Sequence, residues 1–244
     1  MEFFLASLAI FTGCFFATIS GFGFALISTP TLSMVLSARE AIIIVPLLTI
    51  LLRIVTMYQV RKEFDPKILV QITLGWCVGM LPGGYVLKLL PLAYLQIFLG
   101  TVILVAATLM GKKIYFEVKN WTLARFITGF AAGFFGTSTS VAGPPVVLYF
   151  LNAKASKEEM RSNMIWVFGF GNFITSVINV FIGNSKAIED WNIIFFLVPS
   201  VLIAAYLGNL AFKRFDQELF RKMSLAIIYV GGVGTLFNGF KALF

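Results

Sequence analysis

Apolar residues run along this 244-residue chain in blocks separated by short polar connections. Six blocks, at about 41–60, 66–87, 92–111, 160–183, 191–212 and 221–241, have the roughly 20 residues a helix needs to cross a bilayer. Four more, at about 3–18, 22–37, 121–135 and 138–152, are shorter. About 15 residues at 1.5 Å each reach roughly 22 Å, less than the hydrocarbon core of about 30 Å. The short blocks form two adjacent pairs, each broken by glycine and proline. The first break runs from Gly21-Phe22-Gly23 to Pro30, the second from Gly136 to Gly143-Pro144-Pro145, 115 positions later. Each pair is either one broken helix that crosses once or a hairpin that returns to its starting face.

Lysine and arginine positions separate these options. With hairpins, one face collects 14 basic residues and the other only 4, Arg39, Lys88, Lys186 and Lys241. With single crossings the same residues divide 9 against 9. Cytoplasmic loops are enriched in Lys and Arg, so the hairpin arrangement is favoured and both termini are expected outside. Two full crossings per short pair would give the same parity, and only block length argues for re-entry. The expected fold is an all-α polytopic membrane protein, an inverted repeat of two halves. Each half has one broken, re-entrant hairpin and three transmembrane helices. Residues 1–114 form the first half (hairpin 3–37) and 115–244 the second (hairpin 121–152), joined by the basic linker 112–125. Ala38-Arg39 matches Ala153-Lys154, while Asp65 pairs with Asp190 and Gly84 with Gly208 at spacings of 125 and 124. About nine extra residues in the second half are therefore expected near 157–161 and 183–189.

Composition points the same way. Hydrophobic residues make up 59% of the chain and charged residues 12%, about half the usual share of a soluble domain. The start, Met1-Glu2-Phe3-Phe4, has no basic segment, so the first apolar block is read as part of the mature protein rather than a signal peptide. Cys14 and Cys77 sit inside apolar blocks as packing residues, and there is no histidine. The net charge of +8 lies in loops between the blocks, where topology accounts for it without nucleic acid. Glycines 75, 79 and 83, glycines 129 and 133, and Ala204 with Gly208 have the spacing of close helix contacts in lipid.

The breaks carry the candidate chemistry. Irregular backbone at membrane depth must face protein or a water-filled cavity. The second break holds four consecutive hydroxyls, Thr137, Ser138, Thr139 and Ser140, before Gly143 and two prolines that suit the first turn of a new helix. Such a helix start aims N–H groups and a positive dipole end at an anion. The first break offers Ser20, Gly21, Gly23, Ser28 and Thr29, and Phe22 and Phe24 make it less polar. The hydroxyls could also merely satisfy the broken backbone. Arg53 is the one charged residue well inside a spanning block, and it either faces a cavity or snorkels to the interface. Its repeat partner falls near Asn172. Gln71, Asn163 and Asn179 are weaker lining candidates. No acidic residue lies inside a block, so coupling would need a loop-edge acid such as Glu40, backbone carbonyls, or a proton on the substrate. No nucleotide-binding, metal-ligand or nucleophile constellation is present, so neither an enzyme nor a cofactor is expected.

The pattern from Gly136 to Gly143-Pro144-Pro145-Val146-Val147-Leu148-Tyr149, echoed by Gly21-Phe22-Gly23 and Pro30, resembles the sulfite exporter TauE/SafE family of membrane permeases. The resemblance covers nearly the whole chain. It implies transport of a small sulfur anion such as sulfite or an organosulfonate across the cytoplasmic (inner) membrane. The phenylalanines of the first break depart from the family's denser glycine run. The expectation is an alternating-access carrier whose partners are a small anion and the lipid bilayer, with a homodimer left open. An anion channel with the same pore is the alternative.

Overall fold

The computed structural model describes residues 2–32, 36–60, 64–112, 117–188, 191–214 and 216–243, and every regular element among them is helical. The helices are α1 (Glu2–Ser20), α2 (Phe24–Leu32), α3 (Ala38–Val60), α4 (Pro66–Leu89), α5 (Leu92–Gly111), α6 (Trp121–Thr139), α7 (Gly143–Asn152), α8 (Lys157–Ile182), α9 (Asn192–Phe212) and α10 (Gln217–Lys241). A 3-10 turn, Asn184–Ala187, follows α8. Asp190, Arg61, Lys62 and Lys113 lie outside the described residues.

Segments of α3, α4, α8, α9 and α10 are long and apolar enough to cross a membrane. The sixth expected span coincides with α5, whose 20 residues reach about 30 Å. Large apolar side chains on the outer faces, such as Phe181, Phe195 and Val230, are exposed. In a polytopic membrane protein this is the face that meets lipid rather than water.

Both interrupted segments double back. Gly13 of α1 faces Phe24, and Ala9 accepts a hydrogen bond from Ser28 Oγ, so α2 returns along α1. In the same way Gly136 meets Ala142, while Tyr149 reaches Arg125 and Trp121 near the start of α6. The first arms are longer than the sequence blocks suggest, 19 residues each and about 28 Å. The return arms are short, 9 and 10 residues. The hydroxyl residues Thr137, Ser138 and Thr139 therefore belong to the last turn of α6 rather than to the break. Ser and Thr side chains tolerate a helix end by bonding back to carbonyls one turn earlier.

The repeat register differs from the sequence estimate. Helix ends Ser20 and Thr139, and restarts Phe24 and Gly143, lie 119 positions apart rather than 115. Helix caps agree: Glu40 N donates to Ser37 Oγ, and Glu159 N donates to Ser156 Oγ, 119 later. The Gly-Pro echo misled because its prolines do different work. Pro144 and Pro145 open α7, whereas Pro30 lies in the interior of α2. The register stays at 119 through α8, so no extra residues fall at 157–161. In α4 and α9 it becomes 125, since Gly83 meets the Phe134 carbonyl as Gly208 meets that of Phe15. The added length sits in the α8–α9 connection.

The helices pair across long stretches of the chain. α4 packs along α6, and α9 along α1, while α3 pairs with α8 and α5 with α10. Buried residues of α9 (Leu197, Val201, Ala204) join those of α1 and α3, whereas Trp76 of α4 joins α6 and α8. The α4–α6 seam runs parallel and is nearly side-chain-free. Cβ atoms added at Gly75 and Gly79 would collide with the carbonyls of Phe126 and Phe130, and one at Gly129 with that of Ile72. Small residues let helix backbones approach this closely, which is how helices associate in lipid.

Gly79→Ala is therefore expected to lose about 1–3 kcal/mol by overpacking against backbone that cannot yield. Gly234→Ala, where nothing lies within 4 Å, serves as the neutral control. Thermal unfolding of the two purified variants in detergent checks this.

Candidate functional site

The two elbows meet. Phe22 of the first lies against Gly143 of the second, and together they border a cavity lined by Phe22, Gly23, Phe24, Ala25, Ser140, Ala142 and Gly143. Helices α3 and α8 complete it with Thr49, Arg53, Phe168 and Asn172. The cavity offers about 30 Å³, room for about two waters.

Each elbow is shaped by left-handed backbone. Gly21 and Gly23 have φ of 82° and 93°, and Ser140 has φ of 64°. Glycine takes this conformation without strain, whereas a side chain costs about 1–2 kcal/mol there. Ser20 Oγ lies 2.7 Å from the carbonyls of both Phe16 and Phe22, closing the end of α1. On the other side Ser138 Oγ and Thr139 Oγ1 donate to Phe134 and Phe135 carbonyls, and Val141 N donates to Thr139 Oγ1. Ser140 Oγ is buried at the cavity wall with no partner.

Arg53 is 1% exposed, so its guanidinium stays inside the protein rather than snorkelling to the interface. Nη2 donates to the Gly21 carbonyl at 3.0 Å, and the group stands 5.8 Å from the Phe168 ring centre. Nε and Nη1 are buried without a hydrogen-bond partner. An unsatisfied buried cation is costly, and an anion is what relieves it.

A second buried arginine was missed. Arg161, at the edge of the sequence block 160–183, lies in α8 one turn past the cap Ser156 and is 4% exposed. Its Nε donates to the Thr18 carbonyl at 2.9 Å, its Nη2 to Asn209 Oδ1 at 3.0 Å, and its guanidinium covers Phe212 at 4.1 Å. It caps the C-terminal carbonyls of α1, an arrangement the helix dipole favours.

Of the expected site residues, Gly23, Arg53, Ser140, Gly143 and Asn172 line the cavity, and Gly21 touches it through Arg53. The others do not. Ser20 closes α1, Ser28 faces α1, and Gly136 packs on Ala142 and Trp76. Thr29 is buried without lining the cavity. Thr137 stands 3.5 Å from Thr175, and Ser138 and Thr139 satisfy their own helix. Gln71 pairs with Arg125, and Asn163 accepts from Asp65 N. Thr49 was overlooked, although it precedes Arg53 by one helical turn and shares its face. The amide donors also differ from expectation. Two of the first three residues of α7 are prolines and have no N–H. In α2 the first intrahelical bond runs from Ile27 N to Gly23 O, so Phe24, Ala25 and Leu26 N–H groups have no helical acceptor. Phe24 and Ala25 belong to the cavity wall.

Residues 5–235 match the family profile described as sulfite exporter TauE/SafE. The chain belongs to this family. No curated protein and no solved structure matches it. The TauE/SafE family is one of membrane transporters for sulfur-type anions rather than of enzymes, which agrees with the apolar multi-pass helices.

Ser140→Gly is expected to melt at or above wild type, and Ser140→Val below it by about 1–2 kcal/mol, because only the second opposes the left-handed elbow. Thermal melts of both variants decide it.

Proposed function

We propose that this TauE/SafE protein is a secondary carrier of a small sulfur oxyanion, sulfite or a compact organosulfonate, across the cytoplasmic membrane. The substrate sits between the elbows, held by Arg53, Ser140, Asn172 and the amides that open α2. The observation that carries this reading is Arg53: a fully buried guanidinium with two unpartnered nitrogens at the junction of both elbows. Hydroxyl, amide and backbone N–H donors suit oxygens, and one guanidinium supplies the charge.

In this reading the two hairpins enter from opposite faces, both termini lie outside, and the halves form an inverted repeat. Supporting this, the parallel course of α4 and α6 and the antiparallel course of α3 and α8 fit the basic-residue asymmetry. Substrate would then stand near the midplane while the halves rearrange around it. The cavity has room for about two waters, so sulfite with its four heavy atoms, and a sulfonate still more, requires the rings of Phe22, Phe24 and Phe168 to move.

Arg53→Gln is expected to weaken sulfite binding about 10- to 100-fold, the loss of one or two charge-assisted hydrogen bonds. Thr137→Ala is expected to leave uptake near wild type. Saturable sulfite counterflow in proteoliposomes, with thermal shift by sulfite as the binding readout, tests both. Equal uptake by wild type and Arg53→Gln defeats the site, and unsaturable flux defeats the carrier.

A further inference from the structure

Polar residues of α8 continue past the cavity. After Asn172 come Thr175, Ser176 and Asn179, a spacing of three, four and seven that puts all four on one stripe. Thr175 and Asn179 are buried, and Ser176 Oγ and Asn179 Nδ2 are buried without a hydrogen-bond partner. Phe173, Val177, Val180 and Phe181 are exposed, so apolar residues meet lipid and the polar stripe faces inward. The stripe reaches the end of α8, where Asn184 Nδ2 donates to Asn179 Oδ1 at 2.9 Å. On α3 the positions 119 earlier are Arg53, Thr56, Met57 and Val60, so the matching face turns apolar after Thr56. Packing alone gives α8 no reason to bury unpaired donors at depth.

One large side chain lies across this stripe. Trp76 of α4 is wholly buried, and its Nε1 donates to Thr175 Oγ1 at 2.9 Å. Its ring meets Phe168 of the cavity wall edge-on at 6.0 Å. A Cβ at Gly171 would stand 2.6 Å from the indole, and one at Gly136 would stand 3.3 Å from it. Glycine at both places leaves the slot that the indole fills.

We propose that the stripe Asn172, Thr175, Ser176 and Asn179 is the anion's route between the cavity and the Gly183 end of α8, and that Trp76 is the bar across it. This rests on reading the cavity as the anion site, and in the proposed topology the route opens outward. Along it the anion leaves a guanidinium for neutral hydroxyl and amide donors, a weaker hold that permits release.

The test uses the full chain in intact cells, with Cys14→Ala and Cys77→Ala removing both free thiols. Thr175→Cys is probed from outside with a membrane-impermeant methanethiosulfonate that carries a sulfonate. Labelling is expected to be slow with Trp76 present and several-fold faster with Trp76→Ala. Asn179→Cys, beyond the bar, is expected to label with Trp76 intact, and lipid-facing Val180→Cys to stay unlabelled. If Trp76→Ala does not fold, Trp76→Phe, which keeps a ring but loses the hydrogen bond, is expected to give an intermediate rise. Thr175→Cys labelling that ignores position 76, or Asn179→Cys labelling no faster than Val180→Cys, overturns the route. Methanesulfonate, a compact organosulfonate that does not react with the thiosulfonate reagent as sulfite would, should slow the labelling. If labelling follows Trp76 but ignores methanesulfonate, the route stands and the sulfonate is removed as its occupant.

Discussion

Backbone N–H and C=O groups inside a bilayer find no water, and this multi-pass chain interrupts two of its helices, at Gly21–Gly23 and at Ser140–Ala142. Most polar residues near the elbows answer that constraint first, Ser140 Oγ excepted. In the first elbow Ser20, Arg53 and Arg161 take up the carbonyls that α1 leaves open between Thr18 and Phe22. In the second, Ser138 and Thr139 bond back into α6 and Thr139 receives Val141 N. The two solutions differ in what they leave over. Hydroxyls bonded back to their own helix are spent, whereas a guanidinium has more donors than one carbonyl can use. The first elbow, poorer in hydroxyls, is therefore the one with a charged donor in reserve, while the second keeps the single unpartnered hydroxyl of Ser140.

The same constraint explains the interleaved packing. An elbow cannot face lipid, so each must be enclosed by other helices. α9 runs with α1, α4 runs with α6, and α3 and α8 border the cavity where the elbows meet. The glycine seam of α4 with α6 brings backbone onto backbone and leaves little side-chain thickness to slide upon. The α3–α8 contact is different, with Met57 against Gly169 and Phe168 beside Arg53. Methionine and aromatic rings can repack where backbone seams cannot.

The apolar spans were legible in the sequence because block length is a long-range average that one odd residue does not disturb. The spanning blocks at 41–60, 66–87 and 191–212 lie within three residues of the helices found. Arg53 and Asn172 stood out because lipid makes polar residues conspicuous. Arg161 did not, since it stands at the very edge of the block 160–183, where a basic residue is the ordinary boundary of a span. Of the four hydroxyls only Ser140 lines the cavity, and the other three lie off it for a physical reason. Ser and Thr are as useful for ending a helix as for holding a ligand, and only three-dimensional partners tell the two apart. The register of 115 failed likewise, because it aligned letters, Gly and Pro, instead of the helix ends that those residues serve.

Equivalent packing with unequal chemistry is the consequence that matters for an anion. In the register of 119, Gly21 answers to Ser140 and Arg53 to Asn172, so one side of the proposed site carries charge and the other only neutral donors. Arg53 Nη2 has two hydrogens and Gly21 takes one of them. Both bidentate faces of a guanidinium include this nitrogen, so one complete fork stays open for two oxygens of an oxyanion. The anion and the elbow carbonyl would then be held by a single rigid plane. Turning that plane toward the anion pulls on the first elbow, and moving the elbow changes the fork the anion meets. Lysine could not link the two in this way, since an ammonium is a point charge whose donors swivel independently of any plane.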